Sequence, residues 1–344
     1  MTLRRRLIRI ALILLLFPPL LAGIAGWVIG PSFLHPIRRE LTADSIREAD
    51  SAFRFLHAER QDFTVHAPDG VLLRGWRVQS SRPNGSWVLV FHGVADNRMG
   101  VLSHAELLLR EGYSVVMMDA RAHGASEGAM ATYGWLERND TKAVVDALLA
   151  AERPGDASSS REAPFAAGGP REAAGPRHLF ALGESMGAGI ALQSAATEPR
   201  IEGVVAEAPF ATLREASYDY AGLRKSPLLG KTLFAPFSWT LVYRGESLAG
   251  FPAAGVAPER SVAERPFPVL LICDEDDVAL PCRHAERIYE AARGPKELWR
   301  VPRAFHTAAI SYQPEEFRRR VTGFFAGAMA QSENRGAAKT VAGN

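Results

Sequence analysis

A chain of 344 residues with 47% hydrophobic and 23% charged residues can bury a substantial core, which excludes wholesale disorder. Its 40 basic and 38 acidic residues leave a net charge of +2, so the balance makes no case for a nucleic-acid surface. Two cysteines, Cys273 and Cys282, are too few for a disulfide framework and fix no redox compartment.

The first element in chain order is apolar. Arg4, Arg5, Arg6 and Arg9 precede an uncharged run from Ile10 to Gly30, about 21 residues, enough to cross a bilayer as a helix. The arginines would stay cytoplasmic and the remaining chain would lie outside. Segment 1–30 is therefore expected to be a single-pass membrane anchor, N-terminus inside. The alternatives are a signal peptide cleaved near "LLAGIAG", leaving a secreted protein, and a helix lying in the membrane interface. Pro18-Pro19 would kink such a helix. Residues 31–60 read as a charged, partly helical connector.

Short apolar runs follow. "DFTVHA" and "VLLRGWRV" flank the turn signal Pro68-Asp69-Gly70 and read as a hairpin. "SWVLVFHG" (86–93) reads as a buried strand and "VLSHAELLLREG" (101–112) as a helix ending at Gly112. A strand is expected at 113–120, a helix at 135–151, and then "HLFALGES" as strand and "MGAGIALQSAAT" as helix. "IEGVVAEAP" (201–209), "FPVLLICDE" (267–275) and "ELWRVP" complete eight strands, with helices at "PCRHAERIYEAA" and "PEEFRRRVTGFFAGAMA". Strands alternating with helices predict an α/β fold: a mostly parallel sheet in three layers, with the first hairpin as an antiparallel edge. Two segments break the alternation. Residues 153–177, rich in Pro, Gly, Ala and Ser, read as a flexible surface insertion. Residues 210–264 carry many aromatics and no clear strand, and read as an inserted cap whose aromatics either pack it onto the sheet or line an apolar acyl pocket. Residues 330–344 are expected to be a loose polar tail.

Gly183-Glu184-Ser185-Met186-Gly187 reads G-x-S-x-G. With 30 Gly and 21 Ser in the chain, such a match arises by chance roughly 0.16 times, so context decides. A nucleophilic serine needs a strand, a sharp turn and a helix beginning at the hydroxyl, with small flanking residues where helix and strand cross. Ser185 has that context. Gly245-Glu246-Ser247 nearly repeats the letters, but Ala249 replaces the second glycine and Pro252 stops a long helix, so Ser247 reads as a turn or helix cap. A serine hydroxyl also needs a base, usually a histidine oriented by a carboxylate, in the order Ser, Asp or Glu, His, each after a strand. The acidic cluster Asp274-Glu275-Asp276-Asp277 follows one late strand and His306 follows the last. His284 also follows the cluster but opens a helix; His92 and His123 precede the serine and are expected to hold loops. The cluster could alternatively bind a divalent cation.

From about residue 61 to 329 the chain resembles the α/β-hydrolase family, more narrowly its serine esterase, lipase and aminopeptidase-like branch with membrane-associated members. "VLVFHGVADN" looks like the family's strand followed by His-Gly. "MMDARAHGASEG" (117–128) is similar to its D-x-R-G-x-G-x-S loop, with Ala122 where glycine is commoner. "DEDDVALP" resembles G-x-x-D-x-x-V-P, with Asp274 and Leu280 departing from it. Counting back from Pro281 marks Asp277 as the triad acid, with Asp276 as its neighbouring alternative. The resemblance implies a Ser185–His306–Asp277 triad, an oxyanion hole from the backbone N–H groups of Val94 and Met186 after His92-Gly93 and Ser185, and an acyl-enzyme intermediate. No cofactor or metal is required. An acyl ester, small or lipid-like, is the expected substrate. A peptidase acting on amides, or a non-catalytic binding module on the same fold, are the alternatives. Oligomeric state is not legible.

Overall fold

The computed structural model describes residues 3–151 and 176–342. Eight strands form one sheet: β1 (Glu59–His66), β2 (Leu72–Gln79), β3 (Ser86–Phe91), β4 (Ser114–Met118), β5 (His178–Glu184), β6 (Ile201–Glu207), β7 (Val269–Asp274) and β8 (Lys296–Val301), in the order β1-β2-β4-β3-β5-β6-β7-β8. β2 pairs antiparallel with β1 and β4, and every other pairing is parallel. The helices are α1 (Leu3–Leu34), α2 (Ala43–Phe55), α3 (Leu102–Arg110), α4 (Glu137–Ala151), α5 (Met186–Thr197), α6 (Leu213–Tyr220), α7 (Pro227–Lys231), α8 (Ala235–Ala249), α9 (Pro258–Glu264), α10 (Arg283–Ala291), α11 (Ala309–Tyr312) and α12 (Pro314–Ala342).

The central strands read as unbroken apolar runs because both faces are covered. Side chains alternate across a strand, so Val88, Val90, Phe180, Leu182, Leu270 and Ile272 pack under α3 and α12 on one face. Trp87, Leu89, Leu179, Ala181, Val269 and Leu271 pack under α4, α5 and α10 on the other. A third apolar cluster joins the end of α1 to the middle of the chain: Leu34 from α1, Met186 and Ile190 from α5, and Phe210, Leu213, Leu241 and Val242 from the segment between β6 and β7. That segment, 210–264, folds as α6 to α9 with short 3₁₀ turns between them.

Several boundaries differ from the sequence reading. α1 runs on through Pro18, Pro19 and Pro31 to Leu34, past the expected end at 30. The stretch read as a connector holds α2, opened by a capping box in which Thr42 and Ser45 satisfy each other's backbone N–H groups, and Ala49 and Phe53 are buried. β1 starts at Glu59, just ahead of 61. The expected loose tail is largely helical, because α12 continues to Ala342 with no proline to stop it. The insertion expected over 153–177 lies, up to residue 175, outside the described residues.

Candidate active site

Ser185 stands alone between β5 and α5. Its backbone sits at φ 53°, ψ −117°, a conformation that a residue with a Cβ adopts only where the surroundings enforce it. Here the surroundings are hydrogen bonds and glycines. The Ser185 N–H donates to the Glu207 carbonyl at 2.9 Å, and the Gly189 N–H donates to the Ser185 carbonyl at 3.2 Å. A Cβ on Gly183 would lie 2.4 Å from the Gly187 carbonyl oxygen, and one on Gly187 would lie 2.3 Å from that of Phe91. Any side chain at either glycine would force α5 off the sheet, which is the crossing the motif requires.

The loops after β7 and β8 bring two partners to the hydroxyl. His306 Nε2 lies 2.9 Å from Ser185 Oγ, and His306 Nδ1 lies 2.6 Å from Asp277 Oδ2. The second Asp277 oxygen accepts the N–H groups of Ala279 at 2.7 Å and Leu280 at 2.9 Å. Asp277 is buried. Asp276 is exposed and tied back through its own N–H to the Ala304 carbonyl, so it does not reach the histidine. With Asp277 accepting from Nδ1–H, the ring's Nε2 is left as the acceptor facing a hydroxyl. That chain of groups can take a proton from Ser185 and hold the resulting positive charge.

Ser185 opens onto a cavity of about 120 Å³, room for about four water volumes. Its walls are Phe33, Tyr133, Phe210, Leu213, Tyr220 and Leu280, and Val94 and Met186 line it as well. Met186 is the first residue of α5, and the first N–H groups of a helix have no partner within it. His92 braces the Val94 loop: its Nδ1–H donates to the Gly93 carbonyl at 2.7 Å while Nε2 accepts the Ala120 N–H at 3.0 Å. Burial holds its pKa below the ordinary histidine value, which suits a neutral ring that both donates and accepts. His123 donates to the Arg121 carbonyl at 2.9 Å, and burial pushes it down to about 4. His284 pairs with Asp219 at 2.7 Å and accepts the Ala211 N–H at 3.2 Å, tying α10 to α6. Ser247, expected at a turn or cap, sits within α8 and is exposed; Gly250 at φ 68° ends that helix instead. Ala122, where the family more often has glycine, has φ 61°.

Four features of the site escaped the sequence. β5, β6 and β7 each end in a buried carboxylate: Glu184, Glu207 and Asp274. Asp274 Oδ2 accepts the Thr307 N–H at 2.9 Å, and Glu207 Oε1 accepts the Ala309 N–H at 2.8 Å. Burial, reinforced by the Glu207 carboxylate, pushes Asp274 up to about 8, and burial pushes Glu184 up to about 7. Second, Tyr220 at the end of α6 places its hydroxyl 3.3 Å from His306 Nε2. Third, the end of α1 supplies Phe33 as a wall, stacked on Tyr133 at 4.7 Å between centroids. Fourth, Cys273 and Cys282 are joined as a disulfide that closes the loop holding Asp274 and Asp277.

Comparison with known proteins agrees with this architecture. A family model described as the alpha/beta hydrolase fold matches residues 86–230. The chain has the α/β-hydrolase fold. It is similar to the uncharacterized protein YqkD of Bacillus subtilis, 28% identical over 86% of this chain and 92% of that one. It is also similar to the uncharacterized protein YfhR of Escherichia coli K12, 26% identical over 74% and 75%. Among solved structures, the esterase Pf2001 of Pyrococcus furiosus superposes with a TM-score of 0.62 at 23% identity, over 86% of this chain and 98% of that one. A bacterial membrane phospholipase A matches with a TM-score of 0.55 at 16% identity, over 95% of this hydrolase-fold chain and 99% of its own.

Proposed function

We propose that this chain is a serine hydrolase that cleaves a carboxylic ester through an acyl-enzyme. Ser185 Oγ attacks the ester carbonyl as His306 Nε2 takes its proton, and Asp277 keeps the imidazole in the tautomer that allows this. The N–H groups of Val94 and Met186 receive the oxyanion. His306 returns the proton to the departing alcohol, and a water deprotonated by His306 then releases the acid. The observation that carries this reading is the hydrogen-bonded line Ser185–His306–Asp277, 2.9 Å and 2.6 Å long, with the second carboxylate oxygen pinned by two backbone N–H groups. The apolar cavity at Ser185 favours an acyl group on the reactive side, and two of the similar folds are an esterase and a membrane phospholipase A.

The same reading includes a membrane anchor with the catalytic domain outside the cytoplasm. α1 is the one helix among the described residues long and apolar enough to span a bilayer. Ala22 is buried and Thr240 Oγ1 donates to the Gly23 carbonyl at 2.7 Å, contacts that lie upstream of a cleavage near residue 25 and so favour a retained helix over a cleaved leader. A disulfide is at home in an oxidising, extracytoplasmic compartment. Labelling with a fluorophosphonate probe tests the chemistry: folded wild-type protein should label and Ser185→Ala should not, and equal labelling of the two would sink the assignment. Turnover of short and long p-nitrophenyl esters against aminoacyl amides tests the ester preference; cleavage of amides alone would overturn it. Mass spectrometry of the mature protein tests the anchor, which a start near residue 25 would exclude.

A further inference from the structure

α1 is docked lengthwise on the cap helix α8, and glycines set the contact. A Cβ on Gly26 would lie 2.1 Å from the Phe237 carbonyl oxygen, and one on Gly30 would lie 2.8 Å from Arg244 Cβ. Thr240 Oγ1 donates to the Gly23 carbonyl at 2.7 Å. Trp27 stacks on Tyr243 at 6.2 Å, with the Arg244 guanidinium 4.6 Å from the indole centroid. At its far end the helix enters the site. The Ala131 N–H donates to the Leu34 carbonyl at 2.8 Å, and Tyr133 Oη donates to the Phe33 carbonyl at 2.6 Å.

A crevice opens between the same two elements. Leu21, Ala22 and Ala25 of α1 face Leu223, Phe234 and Phe237 of the cap. At 1.5 Å per residue, Leu21 to Ala25 lie about 8 to 14 Å below Gly30 along the helix, within one leaflet of a hydrocarbon core about 30 Å thick. Trp27, Trp239 and Tyr243 are exposed, as aromatics at a membrane interface are. One turn, Tyr220 to Leu223, separates the crevice from the catalytic cavity: Tyr220 lines the cavity and Leu223 the crevice. A second hollow beside Trp239 is lined by Arg214, Arg224, Lys231 and Arg283, with Glu215 as the one carboxylate among its described lining residues. Asp219 takes Arg283, but no carboxylate pairs with Arg224 or Lys231 among the described residues. Apolar space at leaflet depth beside unpaired cationic groups matches a lipid with acyl chains and a phosphate.

We propose, resting on the membrane-anchored serine-hydrolase reading, that α1, α7 and α8 sit in the outer leaflet as one unit and that the crevice takes an acyl chain of a glycerophospholipid drawn directly from the bilayer. The phosphate lies at Arg224 and Lys231, and movement of the Tyr220–Leu223 turn joins crevice to cavity. Ser185 Oγ then bonds to the acyl carbon, the ester C–O bond breaks, and the lysophospholipid oxygen leaves with the proton from His306. Water completes the cycle and releases the fatty acid.

The test uses the full chain in unilamellar vesicles of phosphatidylglycerol and phosphatidylcholine, with fatty-acid release measured beside p-nitrophenyl butyrate turnover and fluorophosphonate labelling. Wild type should hydrolyse the vesicle phospholipid. Gly26→Leu, which undocks α1 from α8, should lose at least tenfold in vesicle rate while labelling and butyrate turnover stay within threefold. Ala25→Trp, which fills the crevice, should lower the ratio of vesicle rate to butyrate rate at least fivefold. Arg224→Gln with Lys231→Gln should slow phospholipid several-fold and spare diacylglycerol in the same vesicles. Wild type that turns over butyrate but no vesicle phospholipid overturns the proposal, as does Gly26→Leu with a wild-type vesicle rate. Diacylglycerol cleaved as fast as phospholipid overturns the headgroup assignment. Absence of both labelling and butyrate turnover in wild type would instead overturn the hydrolase reading beneath it.

Discussion

Asp277→Asn is the substitution whose outcome the geometry dictates most tightly. Oδ1 of Asp277 accepts two backbone N–H groups, from Ala279 at 2.7 Å and Leu280 at 2.9 Å. An asparagine must keep its carbonyl oxygen there, since turning its NH₂ toward those donors would bury two clashing donor pairs. The NH₂ group is then presented to His306 Nδ1, 2.6 Å from the present Oδ2. An NH₂ cannot accept, so Nδ1 must, and the ring proton moves to Nε2. Nε2–H now faces Ser185 Oγ at 2.9 Å and cannot take its proton. The corresponding change in a Ser-His-Asp protease costs about 10⁴ in kcat, about 5.6 kcal/mol at 1.4 kcal/mol per decade. The assay is kcat/KM for p-nitrophenyl butyrate between pH 6 and 9, with the thermal midpoint recorded beside it. A loss of three to four decades is expected, with Tm within a few degrees of wild type. A folded variant keeping more than a tenth of wild-type activity would refute the tautomer argument.

Three further outcomes follow from the site. Gly187→Ala puts a Cβ 2.3 Å from the Phe91 carbonyl oxygen, an overpacking that costs about 1–3 kcal/mol; a lowered Tm together with loss of fluorophosphonate labelling is expected, and unchanged labelling would contradict the crossing geometry. Asp274 is raised from 3.8 to about 8 by burial and by Glu207, so its contribution to stability is full below about pH 4 and is lost as pH rises to about 8. Tm should accordingly fall between pH 5 and 8.5, with a shallower fall in Asp274→Asn; equal slopes in the two proteins would argue against it. Cys273 and Cys282 are 9 residues apart in sequence, and cross-linking so short a loop stabilises by about 2.6 kcal/mol in the chain-entropy account. Reduction with dithiothreitol should lower Tm and loosen the Asp277 loop, read as slower fluorophosphonate labelling; a Tm indifferent to reduction would rule out a structural role for the pair.

The sheet and two of the three positions of the proposed triad were legible because each is a local pattern. β3, β5, β6 and β7 are apolar runs followed by helices, and the burial of both their faces leaves no alternation to misread. Ser185 ends such a run inside the G-x-S-x-G motif, and His306 follows the last strand, whereas His284 opens a helix. The acid of the proposed triad needed more, since four consecutive residues offered three aspartates; only the structure shows that Asp277 is the one turned inward, by its bonds to Ala279 and Leu280. Segment 210–264 was legible as a break in the pattern but not as α6 to α9. Its packing on α5 and α1 depends on contacts far apart in the chain, such as Thr240 to Gly23, 217 residues away. α1 runs as one helix through Pro18, Pro19 and Pro31, and a proline there removes one N–H and strains one turn.

The carboxylates ending β5, β6 and β7 carry a lesson that the triad letters hide. Each follows an apolar strand, in "LFALGE", "GVVAE" and "LLICD", and a charged residue ending a buried strand is costly unless something takes its lone pairs. Two of them are taken by the loop that bears His306: Asp274 holds the N–H of Thr307, immediately after His306, and Glu207 holds that of Ala309. Thr307 itself sits at φ 56°, a conformation with no local reward. Asp274 holds its N–H while Asp277 holds the ring. The position of His306 Nε2 over Ser185 is thus set by two acids from one four-residue cluster, one bonded to backbone and one to imidazole. A sequence reading that asks which single aspartate belongs to the triad leaves out the one that holds the loop in place.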